Sequence, residues 1–325
     1  MNAQVKVLPH PTSKFRMLLR REFWEHRGGF FWAPVIAGGI ALLFTILAAI
    51  GASVVKHRYG NDLQLDGASL GDIGKALGMA GDMALLGGVG ITMVVLGFVV
   101  FFYSLGSLYD DRKDRSVLFW KSMPVSDAAT VTSKVAWALV LAPLVALAVG
   151  LLIGLSFWIV TAFTTTVNGV PGASGVLTHS HPFAILANLV AMVPLYALWA
   201  LPAVGWLMLC SAAAPSKPFL WAVIIPVLGC ALVSFVTAIL GLDLDLEPLW
   251  YAAAFRGLLS VFPGTWLANV DLDRGAIHGP ENLAEVVGAA QNWTVAGTPD
   301  LWIGALVGAA MIFVAIRLRR WRDDN

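Results

Sequence analysis

Six uncharged apolar runs constrain this chain more than any other feature of its sequence. They contain no Asp, Glu, Lys, Arg or His, and they cover residues 30–55, 83–108, 135–163, 183–214, 219–242 and 301–316. A helix that crosses a bilayer needs about 20 such residues, and five of the runs exceed that length. The sixth crosses if Asp300 lies at one interface and the side chains of Arg317 and Arg319 reach the other. The sequence therefore predicts an all-α integral membrane protein with six transmembrane helices.

The composition supports this fold class and excludes some functions. Hydrophobic residues make up 58% of the 325 positions and charged residues 13%, whereas about 25% charged residues is usual in soluble domains. A net charge of +1 creates no overall field that would attract nucleic acid, so we expect the lipid bilayer and no nucleic acid as a partner. Cys210 and Cys230 both lie in apolar runs, and we expect no disulfide between them.

The positions of the basic residues predict the orientation of the chain. Six spans place both ends on one side, and 16 of the 21 Lys and Arg residues fall on that side. The five on the other side are Lys56, Arg58, Lys75, Arg256 and Arg274. Because Lys and Arg accumulate in cytoplasmic segments, both termini are expected in the cytoplasm. The polar, basic residues before the first long run favour a retained N-terminus over a cleaved signal peptide.

Residues 1–29 are predicted to contain an amphipathic helix ahead of the first span. Its apolar side chains share one helical stripe: Phe15, Leu18, Leu19 and Phe23. Basic side chains occupy another stripe, which is typical of a helix lying flat on the cytoplasmic leaflet. Gly28 and Gly29 would then let the chain turn into the membrane. An irregular basic tail is the alternative.

Residues 243–300 form a long outer region between the fifth and sixth runs. Its apolar part, 249–270, is interrupted by Arg256-Gly257 and by Pro263-Gly264. The resulting pieces are too short to cross a bilayer, so we predict re-entrant-like helices that enter the outer leaflet and return. A seventh span is the alternative, although Arg256 near its centre and the odd number of spans disfavour it.

Small residues and prolines within the runs predict contacts and bends. Two G-x-x-x-G patterns, at 150–154 and 304–308, match a helix-contact motif, but 32 glycines make chance matches expected. Prolines inside the runs are expected to kink their helices. These prolines are Pro143, Pro194, Pro202 and Pro226.

One dense polar segment, residues 108–126 (LYDDRKDRSVLFWKSMPVS), follows the second run. Three acids and three bases at 110–115 suit a water-facing helix, and the apolar residues after them would hold it to the spans. Pro124 would end this helix, and Ser126 could cap the start of the third span. A short cytoplasmic helix joined to two spans suits a docking element. A solvated charged loop is the alternative.

This segment resembles the corresponding part of the membrane subunit, or permease, of ATP-binding cassette transporters of the type-2 family. In that family an acid- and base-rich stretch after the second helix leads into Leu-Phe, Lys-Ser, a hydrophobic residue and Pro, as residues 118–124 do here. The basic N-terminal helix, six spans and outer region also match the family's layout. The resemblance covers nearly the whole chain in layout, and sequence detail only at 108–126.

The resemblance implies that residues 1–325 form one permease domain that pairs with a second copy or a near relative. It implies an exporter in a bacterial inner membrane, driven by a separate ATPase subunit that carries the ATP and Mg²⁺, with no cofactor in this chain. Within the coupling segment, 109–126, it implies an ATPase contact at these residues: Tyr109, Asp110, Asp111, Arg112, Lys113, Asp114, Arg115 and Phe119.

Two missing features agree with a partner that supplies energy. The sequence has no G-x-x-x-x-G-K-[ST] phosphate-binding loop, so we expect no ATP hydrolysis by this chain. The apolar runs also lack the ionisable residues that ion-coupled transporters place at mid-membrane depth.

Other classes of function remain alternatives. Residues 172–175 match the G-x-S-G of rhomboid-type intramembrane serine proteases, but Ser174 lies in a polar outer loop and run 301–316 has no histidine base. His179 with His181 could hold a metal ion, and so could the acidic side chains at 243–247, although further ligands are missing. Those acidic side chains are Asp243, Asp245 and Glu247. A membrane anchor or assembly protein without transport is the third class.

Overall fold

The structure is a computed structural model that describes residues 11–59, 69–113, 126–270 and 288–322. Nine helices of ten or more residues form its frame. They are α1 (Pro11–Arg27), α2 (Ala33–Tyr59), α3 (Leu70–Lys113), α4 (Asp127–Ala136), α5 (Ala142–Val167), α6 (Pro182–Ala191), α7 (Val193–Ala213), α8 (Ile225–Leu240) and α9 (Pro299–Arg322). The described residues contain no β-strand.

Within the described ranges, six helical stretches are long and apolar enough to cross a membrane. They are Lys14–Arg58, Leu70–Lys113, Asp127–Val167, Val193–Ala213, Leu220–Leu240 and Pro299–Trp321. Each contains all or most of one predicted run, so the all-α, six-span prediction is confirmed. The short sixth run becomes long enough because α9 begins at Pro299 and continues past Ile316. The described parts of the outer region hold only short helices, which excludes a seventh span there.

Prolines shape four of these helices, and three of them, at Pro143, Pro194 and Pro226, were predicted. The fourth predicted proline, Pro202, lies inside α7, which continues through it. Pro34, Pro143 and Pro226 each follow a π-helical turn, in which the residue before the proline donates its N–H to the carbonyl five residues earlier. The wider turn arises because a proline ring clashes with the carbonyl four residues back and has no N–H to offer it. Pro194 follows a break at Met192 that divides the fourth run into α6 and α7.

Three central helices, α3, α5 and α7, are surrounded by α2, α8 and α9. In the apolar 18-residue stretches of the spans that contain α2 and α8, only 6% and 11% of the residues are buried within the protein. The corresponding share for α7 is 61%. Glycines allow the central helices to approach closely: a Cβ on Gly88 of α3 would lie 2.5 Å from the backbone of Gly154 in α5. Gly308 of α9 is equally close to Leu201. One glycine of each G-x-x-x-G pattern, Gly154 or Gly308, therefore lies where two spanning helices approach closely.

The outer region folds back into the bundle through short helices. Four of them precede residue 271 and two follow residue 287: Glu247–Trp250, Tyr251–Arg256, Leu259–Val261, Thr265–Asn269, Ala289–Asn292 and Trp293–Gly297. Phe262 packs on α3 where Gly97 leaves space for its ring, in the middle of the second apolar run. The Tyr196 hydroxyl donates to the Val261 carbonyl at 2.9 Å. The re-entrant-like arrangement predicted for this region is confirmed.

The structure changes the interpretation of α1. Its apolar stripe was expected to face lipid, but Leu18 is buried, and Leu19 and Phe23 pack against the protein core. Phe15 is half-buried. The Phe23 ring stacks on Trp137, with centroids 5.6 Å apart. The prediction of an amphipathic helix is correct, whereas the partner of its apolar face is the bundle, because the start of the third spanning stretch offers aromatic surface to it.

Candidate functional site at the inner end of the bundle

The last turn of α3 carries the first residues of the predicted coupling segment. It lies beside the end of α7, at the end of the bundle where α1 and the last turns of α9 also lie; we term this the inner end. The Ser211 hydroxyl accepts from the Tyr109 N–H at 2.9 Å. The Arg112 guanidinium donates to the carbonyls of Ser211 and Ala214, both at 2.9 Å. The final carbonyls of α7 are thereby satisfied by α3.

A buried ion-pair network adjoins this turn; its members are Glu22, Asp111, Asp127, Lys134 and Arg319, termed the inner charge network. Lys134 Nζ lies 3.1 Å from Glu22 Oε1 and 3.5 Å from Asp111 Oδ2. Arg319 Nη1 lies 3.2 Å from Asp111 Oδ2, and its Nε lies 3.4 Å from Asp127 Oδ1. The network thus joins α1, α3, α4 and α9.

Neighbouring side chains fix the network in place. The Tyr103 hydroxyl donates to Glu22 Oε2 at 2.8 Å, and the Trp137 indole N–H donates to the Leu19 carbonyl at 2.7 Å. Phe30 stacks on Trp137 with centroids 5.0 Å apart. Ser126 accepts from the Ala129 N–H at 3.2 Å, so the predicted cap at the start of α4 is present. These contacts exclude water from Glu22 and Lys134, which are each 1% exposed.

Such a network couples the positions of helices more than it stabilises the fold. Buried ion pairs gain little net free energy because desolvation offsets their attraction, but removing one partner is strongly destabilising. The inner ends of the four helices therefore either move together or exchange ion-pair partners. A force applied to the end of α3 reaches α1 and α4 through Lys134, and α9 through Arg319.

The structure divides the predicted ATPase-contact residues into two groups. Tyr109 is half-buried, and Asp110 and Lys113 are exposed, so a partner could reach them. Asp111 is buried and pairs with Lys134 and Arg319. Arg112 is half-buried and donates to carbonyls at the end of α7, so both side chains have partners within the bundle. Asp114, Arg115 and Phe119 lie outside the described residues.

The sequence analysis did not identify Glu22, Lys134 or Arg319 as part of a site. Arg319 was expected to extend to the membrane interface, but its side chain is 6% exposed because Asp111 and Asp127 bind it inside the bundle. The sequence does contain a pattern that indicates a buried position for Glu22. This residue lies four positions after Leu18 and three after Leu19, and therefore on the apolar stripe of α1. An acid on that stripe indicates a buried basic partner.

A second polar cluster lies at the opposite, outer end of the bundle. The Arg256 guanidinium stacks on the Trp199 ring at 3.7 Å and donates to the Trp199 carbonyl at 3.2 Å. Its Nε lies 3.4 Å from Asp300 Oδ2, which also accepts from the Tyr251 hydroxyl at 2.8 Å. Burial lowers the pKa of Arg256, against the opposing effect of Asp300, and burial raises the pKa of Tyr251.

Residues of the alternative sites named from the sequence have partners within the fold. Ser174 precedes the short helix Gly175–Thr178, His179 Nδ1 lies 2.9 Å from the Thr178 hydroxyl, and His181 pairs with Asp82. Within the described ranges no group of three or more His, Cys, Asp or Glu residues could hold a metal ion. Cys210 and Cys230 are both free and buried, as expected.

Comparisons with known proteins add no assignment: no family model, no curated protein and no solved structure matches this chain.

Proposed function

We propose that this chain is the membrane-spanning permease subunit of an ATP-binding cassette exporter. A separate ATPase subunit binds at the inner end, carries the ATP and Mg²⁺, and contacts the segment that begins at Tyr109. The permease works as a pair, with both termini in the cytoplasm of a bacterial cell. ATP-driven closure of the two ATPases moves the end of α3, and the spans follow.

The observation that carries this proposal is the linkage of the α3 end to the rest of the bundle. The segment resembling a permease coupling element starts in the last turn of α3, where Asp110 and Lys113 are exposed. The neighbouring Asp111 is held by Lys134 and Arg319. An ATPase on the exposed face would therefore act directly on a turn that is bound to three other helices. A solvated loop without a mechanical role does not need this buried linkage.

The proposal is tested by reversing two acidic charges of the segment, at Asp110, which is exposed, and at Asp114. The variant Asp110→Lys/Asp114→Lys leaves Asp111 and the inner charge network intact. We expect it to insert normally and to lose its ATPase, because like charges facing each other across an interface cost several kcal/mol. The measurement is the amount of ATPase subunit that co-purifies with the chain from native membranes in mild detergent, at matched membrane expression.

The matched control is Asp243→Lys/Asp245→Lys, the same two changes at exposed positions of the outer end. This variant should retain the ATPase as the unchanged chain does. If both variants retain it equally, residues 109–115 are not the contact. If the unchanged chain brings down no ATPase, or hydrolyses ATP alone, the proposed function is wrong.

A further inference from the structure

A cavity at the outer half of the bundle has no part in the proposed coupling. It lies between α7, α8 and α9 beneath the short helices Glu247–Trp250 and Tyr251–Arg256, and its volume is about 400 Å³. Pockets of this size hold small molecules or parts of larger ones. Most of its wall is apolar, including Pro202, Trp206, Leu249 and Met311.

The length of the cavity matches the depth of one lipid leaflet. Along α9 it extends from Asp300 in the first turn to Met311. Eleven residues at 1.5 Å each span about 16 Å. The hydrocarbon core of a bilayer is about 30 Å thick, so a single leaflet contributes about half of that. An acyl chain that enters beside Asp300 would end near Met311, at the middle of the membrane.

The polar end of the cavity carries one buried cation and one half-exposed carboxylate. Arg256 is 5% exposed, and its Nε has no hydrogen-bond partner among the described residues, although Asp300 lies 3.4 Å away. Gly304 provides the space for the guanidinium, because a Cβ there would collide with Arg256 Nη2. The Asp300 side chain is 32% exposed and can therefore meet a second charged group.

The wall of α9 that lines the cavity continues onto the surface that faces the bilayer. Ile303 is 60% exposed and Val307 is 44% exposed, and both line the cavity. On the facing helix α8, Leu228 and Leu232 are also exposed. Since only a small part of either helix is covered by protein, a lipid can enter sideways from the membrane.

We propose that this cavity binds one acyl chain of a membrane phospholipid with a zwitterionic headgroup, whose phosphate meets Arg256 and whose ammonium group meets Asp300. The lipid comes from the leaflet opposite the inner end. A site with one positive and one negative group is complementary to a zwitterion. A phospholipid without an ammonium group, such as phosphatidylglycerol, would bring no cation to Asp300. This inference does not depend on the proposed transport function.

The test uses phosphatidylethanolamine with a photoreactive diazirine on its acyl chain, added to the full-length protein in nanodiscs. We expect cross-links on α9 between positions 303 and 311, identified by mass spectrometry of peptides. The variant Val307→Trp fills the cavity and should lose these cross-links. Leu306→Trp adds the same ring to a neighbouring residue that is 71% exposed and does not line the cavity, and it should keep them. Equal labelling of the two variants would mean ordinary contact with bulk lipid and would overturn the proposal.

A second arm tests the headgroup. The unchanged protein should be labelled more strongly by the phosphatidylethanolamine probe than by the same probe built on phosphatidylglycerol. Asp300→Asn removes the carboxylate and should shift the preference toward phosphatidylglycerol, because Arg256 then lacks an opposing charge. Equal labelling of the unchanged protein by the two probes would overturn the zwitterion assignment. Size-exclusion profiles that match the unchanged protein show that each variant is folded.

Discussion

Lys134 connects two carboxylates that belong to different helices. Its Nζ lies 3.1 Å from Glu22 and 3.5 Å from Asp111, and its side chain is 1% exposed. Without the ammonium group, Asp111 would retain Arg319. Among the described residues, Glu22 would retain only the Tyr103 hydroxyl and the more distant His26. A buried charge without an opposite charge is costly, so most of the loss would fall on Glu22.

The variant Lys134→Met should therefore lower the free energy of unfolding by about 3 kcal/mol. Adding Glu22→Gln to it should restore part of this loss, because no unpaired charge is then buried at that position. The measurement is reversible unfolding in mixed micelles, followed by tryptophan fluorescence. Lys113→Met, at an exposed position of α3, is the control and should change little. Equal effects of Lys134→Met and Lys113→Met would contradict the role of the network.

At the scale of elements, the sequence predicted the helices better than their faces. The six runs identify spans because a charged residue is costly within the hydrocarbon core, so length and the lack of charge suffice. The cap at Ser126 and the π-turns before prolines follow from local chemistry. Which face packs on protein is not visible, because lipid and protein interior are both apolar. For this reason the stripe of α1 was assigned to lipid, although Leu18 is buried in the bundle.

The site was only partly predictable for a related reason. Asp110 and Asp111 are adjacent and chemically identical, yet one is exposed and the other is buried. Their difference is set by Lys134 and by Arg319, which lies 208 positions further along the chain. Local patterns contain no information about such distant partners. The basic and acidic composition of 110–115 indicated a charged site, and the fold decided which members face inward.

The crossing of α3 and α5 offers a matched pair of adjacent glycines. A Cβ on Gly88 would lie 2.5 Å from the Gly154 backbone, whereas a Cβ on Gly87 meets nothing within 4 Å. Gly88→Ala should therefore separate the two helices and lower the free energy of unfolding by about 1–3 kcal/mol. Gly87→Ala should be neutral or slightly stabilising. The measurement is the unfolding midpoint of both variants in the same detergent. Indistinguishable midpoints would show that α3 and α5 do not approach this closely.

At the scale of the whole molecule, two polar clusters lie at opposite ends of an apolar bundle. Helix α9 carries Asp300 in its first turn and Arg319 near its end. The separation of these two residues is about 28 Å at 1.5 Å per residue, close to the hydrocarbon thickness of a bilayer, about 30 Å. Each cluster therefore lies near one interface, and the protein surface between them is apolar. This arrangement explains how buried charges occur in a membrane protein without lying in hydrocarbon.

The orientation predicted from the basic residues can be measured with single cysteines. In a background of Cys210→Ala/Cys230→Ala, Lys113→Cys reports the inner end. Leu177→Cys reports the outer end, because it lies in the short helix whose Gly175 packs on Gly74 at the start of α3. Both positions are exposed. Since the sequence assigns 16 of the 21 Lys and Arg residues to the side of the termini, an impermeant maleimide should label only Leu177→Cys in intact cells. Lys113→Cys should react only after the membrane is opened. The reverse pattern would invert the orientation and place the proposed ATPase contact on the wrong side of the membrane. Labelling of both positions from outside would place them on the same side, which contradicts an odd number of membrane crossings between positions 113 and 177.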